Sequence, residues 1–518
     1  MFRTPAWFIA AIIALSGIVS TGVTTSHAQQ AIELTLDSAV DIAMGGSYRI
    51  KQLELNIERN RYLLKARQAS LKSRVYMNLR APQVEADSDF KWNSEANRDV
   101  IVRENTSRWQ MDLSVQQPVI LFGYPTNGYL SLNNRVYQYN QRNGGIETDY
   151  YNRYYLRFQQ PFFQPNVLKN DIEEAKLDLE RRELEYVRDR VNLINSVSDD
   201  FYDLFDFMYR DTIYNRQIEN LNAVVGIAAE KAAADTTKNY EYIQAQIELT
   251  NARESLLQNN SSIRRESNGI KQRLRMDPED SVHVEPTVKI VPLIVDKDQA
   301  VEYGYSLSPS LRIQSIDYRN NEINLDNSKG WDAFRVNLEM TYGLEKEDKT
   351  PRGMWEQYDN SYSVSLSAYV PIWDWGRRKD RIEAQRISLK MTELRMEENR
   401  NNIRSNILNA AENLIEYQQR AINLEKSLGM VQQLSDISVQ QYRDDLISLQ
   451  DMLRIASRQR DTELNFLDAY LGYRRSLLWL MVQTYYDYEN GISLIDKYRP
   501  RQEVSGGAVM VSPKIAQW

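Results

Sequence analysis

The chain has 518 residues, a net charge of −7, a pI near 5.4 and a mean hydropathy of −0.58. Its length is ample for a large core, and its acidic balance leaves no strongly basic face of the kind that binds nucleic acid. Cysteine is absent, which excludes disulfides, thiolate catalysis, cysteine-based metal sites and a lipid-modified cysteine at the mature N-terminus.

Arg3 precedes an apolar stretch from Trp7 to Val19, and Ser26-His27-Ala28 places small residues at the two positions a signal peptidase reads. Residues 1–28 are therefore expected to be a signal peptide, cleaved after Ala28; the apolar core is short for a stable spanning anchor. No later segment reaches the eighteen or so consecutive apolar residues of a membrane helix. A membrane crossing would have to use strands.

Such strands are legible. Val75, Met77, Leu79 and Ala81 alternate with Tyr76, Asn78 and Arg80. Met111, Leu113 and Val115 alternate with Asp112, Ser114 and Gln116, and Tyr154, Leu156 and Phe158 with polar partners that include Arg157. Between them, Ile120 to Pro125 leads into the alternating stretch Leu130-Ser131-Leu132-Asn133 and a Gly144-Gly145 turn, and Gln-Gln-Pro occurs at both 116–118 and 159–161. This segment, 119–150, reads as an added hairpin that either widens the sheet or folds as a loop outside it.

After Pro161-Phe162-Phe163 the period changes to that of a coiled coil, with Leu184, Val187, Val191, Ile194, Phe201, Phe205 and Met208 along one seam. A polar break at Ala234 to Asn239 precedes a returning helix bearing Ile243, Ile247 and Asn251. A proline-bearing, β-branched connector follows from Met276 to Pro292.

The pattern then repeats. Asp296 to Val301 matches the opening Leu36-Asp37-Ser38-Ala39-Val40, and strands at Val336–Tyr342 and Ser363–Val370 run into Pro371-Ile372-Trp373. A second seam carries Ile403, Ile407, Ala410, Leu414, Tyr417, Ala421, Leu424, Leu428 and Val431. The break Tyr442-Arg443-Asp444-Asp445-Leu446 leads into a helix with Leu464, Leu467, Leu471, Leu478 and Met481 on its seam. The expected division is a signal peptide (1–28), a first repeat (29–276), a connector (277–297), a second repeat (298–490) and a disordered tail (491–518). Each long helix is expected to run for about fifty residues, or about 75 Å.

A soluble sandwich also alternates. Here the strands keep company with an export signal and with the aromatics Trp331, Trp355, Tyr358, Trp373 and Trp375 near their ends, as in the girdles that flank an apolar band. Roughly four to six strands are too few for a membrane barrel, which needs at least about eight, so the sheet is expected to close between subunits. Only two histidines exist, His27 and His283, and no nucleophile elbow, phosphate-binding glycine loop or zinc-binding helix motif is found. No enzyme activity, cofactor or metal is expected.

The start Leu34 to Ala43, the junctions at Pro161-Phe162-Phe163 and Pro371-Ile372-Trp373-Asp374-Trp375-Gly376, and the tip Gln441 to Leu453 together resemble the outer membrane efflux protein family, the TolC-like channel-tunnels. The resemblance spans nearly the whole mature chain. It implies a mixed α+β membrane protein, mostly α-helical and pseudo-duplicated. Three copies would form a coiled-coil α-barrel tunnel joined to an inter-subunit transmembrane β-barrel. It implies an outer-membrane location in a Gram-negative cell and a passive exit duct for drugs, metal ions or small molecules. Its partners would be a periplasmic adaptor and an inner-membrane transporter. The alternatives are the outlet of a type I protein-secretion system and a non-porous periplasmic coiled-coil adaptor.

In a three-fold tube an inward carboxylate becomes a ring of three. The resemblance places Asp451 at such a position in the periplasmic gate, with Tyr242 near the matching position of the first half. Where the family pattern has a second acid one turn later this chain has Arg454, a departure that argues against a doubly acidic gate. Arg443, Asp444, Asp445 and Arg454 are the candidates for inter-helix pairs that hold the tips shut.

Overall fold

A computed structural model describes residues 31–499 apart from residue 96, residues 143–145 and residue 286. The expected signal peptide, the Gly144-Gly145 turn and the tail from residue 500 lie outside the described residues.

The chain starts with β1 (Ala31–Glu33), α1 (Leu36–Gly46) and α2 (Tyr48–Ala69). Four strands follow: β2 (Arg74–Asn93), β3 (Arg98–Leu121), β4 (Tyr124–Arg142) and β5 (Ile146–Phe162). Then come α3 (Val167–Ala234), α4 (Asn239–Leu274) and β6 (Ser281–His283). The second half has α5 (Lys297–Leu307), α6 (Pro309–Gly330), β7 (Arg335–Asp348), β8 (Asp359–Tyr369), α7 (Arg377–Arg443) and α8 (Leu449–Thr484). A short β9 (Tyr486–Asp487), β10 (Ile492–Ser493) and α9 (Leu494–Tyr498) finish the chain.

The helices of the two halves match closely in length. α1 and α5 have 11 residues each, α2 and α6 have 22 each, α4 and α8 have 36 each, and α3 and α7 have 68 and 67. The caps match too: Ser47 accepts from the Ile50 amide at the start of α2, and Ser308 from the Leu311 amide at the start of α6, where Pro309 occupies the first turn. At the strand-to-helix junctions Phe163 and Trp375 both take positive φ, 64° and 58°, to turn the chain out of the sheet.

α3 and α7 are longer than the fifty-odd residues expected, and each spans about 100 Å. The seams read from sequence begin only near Leu184 and Ile403, yet in α3 the stripe extends back through Leu168, Ile172, Ala175 and Leu179, and Leu179 packs against Ile50, Leu53 and Ile57 of α2. Polar contacts to α6, which itself buries Ile316 and Ile323, add to this packing. Arg319 pairs with Glu173 at 2.7 Å, Arg312 with Glu180 at 2.6 Å, Arg181 with Asp317, and Asn321 donates to the Thr392 hydroxyl at 2.9 Å.

One six-stranded sheet holds the order β2-β3-β4-β5-β7-β8, antiparallel throughout. Register puts Val75, Met77 and Leu79 of β2 on the same face as Val115, Leu113 and Met111 of β3. That face continues through Leu132 and Val136 of β4, Leu156 and Phe158 of β5, Tyr342 and Met340 of β7, and Tyr362 and Val364 of β8. The opposite face is polar and cross-linked, with Arg135–Asp112 at 2.6 Å and Arg153–Glu345 and Arg157–Glu339 at 3.2 Å. β2 and β8 are the two unpaired edges. No helix among the described residues is long and apolar enough to cross a membrane.

The main core lies where the helices of both halves meet, around Val197, Phe201, Phe205, Ile407, Ala410, Leu414, Leu467 and Leu471. The connector runs across this core without forming a helix. Its strand β6 pairs in parallel with β1, the Tyr473 hydroxyl donates to the Val291 carbonyl at 2.6 Å, and the Leu293 amide donates to Gln418 at 2.8 Å.

Leu414 is 1% exposed and Ile407 is fully buried, both on the α7 seam. Leu414→Ala is expected to destabilise by about 2–5 kcal/mol and Ile407→Val by about 0.5–1.5 kcal/mol, since one opens a large cavity and the other removes a single methyl. Denaturant unfolding of detergent-solubilised protein, followed by helical circular dichroism, checks the order.

Candidate functional site at the hairpin tips

α3 and α4 form one hairpin and α7 and α8 the other, and their turns lie side by side. Asp235 ends α3 and accepts hydrogen bonds from the Thr237 amide and hydroxyl, which tightens that turn. In the other turn Asp445 takes φ of 56°, and Ser448 caps α8 by accepting from the Asp451 amide at 3.1 Å.

A small apolar cluster joins the two tips: Val224, Ile227 and Ala228 from α3, Ala245 from α4, Tyr442 from α7, and Leu449 and Met452 from α8. The Tyr442 ring is 1% exposed, and its hydroxyl donates to Glu241 of the other hairpin at 3.1 Å. Burial and the nearby Glu241 carboxylate push the Tyr442 phenol well above its ordinary pKa. Tyr442 is thus a neutral donor that spans the hairpins.

Over this cluster sits a charged clasp. The Lys231 ammonium donates to Asp445 at 2.7 Å and also to the Tyr442 carbonyl, and lies 4.2 Å from the Tyr442 ring centroid. Lys238 reaches the same Asp445 oxygen at 3.0 Å. Asp445 therefore receives two cations from the α3–α4 hairpin, and the Lys231 bond, followed by that of Lys238, holds its carboxyl below the usual range.

The other expected gate residues are placed differently. Asp451 sits in the first turn of α8, where it accepts from the Ser448 hydroxyl at 2.7 Å and pairs with Arg454 on its own helix. The Ser448 bond, then Arg454, lowers its pKa. Arg454 forms its pair within α8 and not between helices. Asp444 accepts from Gln440 at 3.1 Å, again within one helix, and Arg443 is exposed. Tyr242 packs against the apolar cluster while its hydroxyl accepts from Gln246 at 2.6 Å. Of the six candidates, Asp445 alone makes an ion pair from one hairpin to the other.

Lys231, Lys238 and Glu241 were missed from sequence. Lys231 lies 214 positions from Asp445 and Glu241 201 from Tyr442, so only the side-by-side placement of the tips brings them together. The one signal available was the pair of polar breaks itself, which puts a cation-bearing turn in one half opposite an acid-bearing turn in the other. No group of three or more metal-ligating side chains occurs among the described residues.

An amphipathic sheet with two open edges, continued by two paired helical hairpins whose longer arms span about 100 Å, is the architecture of the channel-tunnel class. Solved structures agree with that class. The chain is similar to the CmeC outer membrane channel of Campylobacter jejuni, with a TM-score of 0.60 and 12% identity over 92% of this chain and 94% of that one. It is similar to the outer membrane protein VceC of Vibrio cholerae, with a TM-score of 0.61 and 12% identity over 87% and 95%. It is also similar to the MtrE outer membrane channel of Neisseria gonorrhoeae in its open state, with a TM-score of 0.52 and 12% identity over 87% and 88%. No protein-family model matches the chain, and no curated protein matches it in sequence. The chain has the TolC-like channel-tunnel fold.

The clasp has a definite pH dependence. A carboxyl whose folded pKa is depressed stabilises the paired state above its unfolded value, about 3.9 for aspartate, and loses that contribution as pH falls through the lower folded value. Acidifying the tip side to below the usual aspartate range is therefore expected to weaken the clasp while the Tyr442 cluster still joins the hairpins, and Asp445→Asn to weaken it at neutral pH and remove the acid step. Conductance in planar bilayers, with acid added to the tip side alone, measures both.

Proposed function

We propose that the protein is an outer-membrane channel-tunnel, the passive exit duct of a tripartite efflux system. In this reading three copies close the sheet into one barrel, the helices continue it across the periplasm, and the tips form the gate. Small molecules, drugs or metal ions would leave through it, delivered by a periplasmic adaptor and an inner-membrane transporter. No step of covalent chemistry is required of the duct.

One observation carries the proposal: the sheet is apolar on one face, polar on the other, and unpaired along β2 and β8. Val75, Leu79, Val364 and Leu366 on these edge strands are each 65–70% exposed in the single chain. An apolar face with open backbone edges is not stable in water as it stands, and in hydrocarbon each unpaired backbone group costs several kcal/mol. Copies of the same sheet satisfy both demands. The fold shared with outer-membrane channels supports the reading, as do the exposed aromatics Phe163, Trp373 and Trp375 at the helix-side ends of the strands.

In the gate, the clasp at Asp445 keeps each chain's two hairpins together, and Asp451 with Arg454 offers a rim of mixed charge. Asp451→Ala combined with Arg454→Ala is expected to change ion selectivity while leaving the clasp intact. Reversal potentials across a salt gradient test that, and unaltered selectivity would take both residues out of the pore.

The proposal as a whole is tested by extracting the mature protein from outer-membrane fractions and measuring its mass and bilayer conductance. A trimer that conducts is expected. A monomeric or non-conducting species would transfer the protein to the class of periplasmic coiled-coil adaptors.

A further inference from the structure

The two halves agree in every major helix length but not in their strands: the first contributes four to the sheet and the second two. The extra pair comes from the segment that contains β4. We infer that β4 and its neighbours are wall, that all six strands of the large sheet enter the barrel, and that three copies close an 18-stranded pore too wide to limit what passes through it. The inference rests on the closed trimer proposed above and adds the bore of that trimer.

Four observations place β4 in the wall. First, it is paired along its length on both sides, from Asn105↔Arg142 to Leu121↔Tyr124 with β3 and from Tyr129↔Gln159 to Arg142↔Ile146 with β5. Second, its polar face is joined to both neighbours. Arg135 pairs with Asp112 at 2.6 Å, Ser114 donates to Asn133 at 2.7 Å, Arg108 lies 4.5 Å from the Tyr137 ring centroid, and Tyr137 stacks on Tyr151 at 4.7 Å. Third, its apolar face continues the band: Leu132 stands between Val115 and Leu156 and Val136 lies opposite Met111, while the one polar pair on this part of the face, Asn134 with Asn152, is satisfied by its own hydrogen bond at 2.7 Å.

Fourth, the turn between β3 and β4 is built to sit in an interface. It is a two-residue loop, Phe122-Gly123, in which both residues take positive φ, 50° and 83°, as a type I′ hairpin requires. Phe122 is fully exposed there, on the same end of the sheet as the exposed Phe163, Trp373 and Trp375. A non-glycine residue held at positive φ with its ring in water has no local compensation. A ring placed among lipid headgroups does.

The parity of the strand count permits closure. Six antiparallel strands leave β2 and β8 running in opposite directions, so β8 of one copy can pair antiparallel with β2 of the next and no parallel seam arises. With strands about 4.8 Å apart and tilted by about 40°, 18 strands close at a diameter of about 36 Å, against about 24 Å for 12. Allowing for the lining Arg and Tyr side chains, an opening of about 20 Å remains. The size limit then passes to the hairpin tips, and the membrane portion admits cargo far bulkier than a single drug molecule.

The test is electron cryo-microscopy of the full-length protein in lipid nanodiscs, together with cysteine accessibility, which the cysteine-free sequence makes clean. A three-fold barrel with 18 strands and a diameter of about 36 Å is expected. A closed 12-strand barrel with the extra pair lying outside it would overturn the inference and leave the duct reading standing, whereas absence of any closed barrel would overturn both. In the second measurement Ser131→Cys and Leu132→Cys are compared, since the two side chains lie on opposite faces of β4. A membrane-impermeant maleimide is expected to label the first at least tenfold faster than the second, and equal rates would place β4 outside the wall.

Discussion

Backbone hydrogen bonding at a sheet edge is the constraint on which this architecture turns. A strand inside hydrocarbon cannot leave its amides and carbonyls to water, and each unpaired group costs several kcal/mol. A six-stranded sheet with an apolar face and two open edges does not meet that constraint alone, and in the proposed trimer copies of the same sheet meet it. In that proposal symmetry, pore and tunnel all follow from it: once the sheets close in a ring, the helices that leave their lower ends must also stand in a ring.

The tunnel obeys different physics. Where apolar seams are available, as around Phe201, Ile407 and Leu467, the helices pack as a coiled coil. Nearer the sheet, Glu173, Glu180 and Asp317 are matched by arginines from a neighbouring helix. Exposed pairs of this kind contribute little each, about 0.2–1 kcal/mol, but they help fix register beside a few buried apolar residues such as Ile316 and Ile323. Contacts change character along the helices, from charged beside the sheet, to greasy in the middle, to a mixture at the tips.

How far the sequence could be read follows from the same division. Alternation in Val75–Ala81, Met111–Gln116, Val336–Tyr342 and Ser363–Val370 placed strands correctly because apolar period is a local property. Seams placed the helices but not their starts, since the turns after Val167 and Arg377 are held by partners on α6 that no local window contains. The added segment 119–150 could be recognised as strand-like, yet wall and loop have the same local pattern; only its pairing with β3 and β5 decides. At the tip, resemblance directed attention to Asp451, whose partners are its own cap and the next turn of its helix. Asp445 is the residue that meets two lysines from the other half, and a contact across 214 positions leaves no trace in spacing.

The matched helix lengths of the two halves separate what can vary in such a molecule from what cannot. A heptad inserted into α7 alone would carry one tip past the other by about 10 Å and part Asp445 from Lys231, so helix length can change only when both halves change together. Strands face no such coupling: an antiparallel pair inserted into the sheet returns the chain to the end it left, and the helices below it keep their levels. Girth is therefore open to evolution by single duplications, while reach is locked by a two-part key.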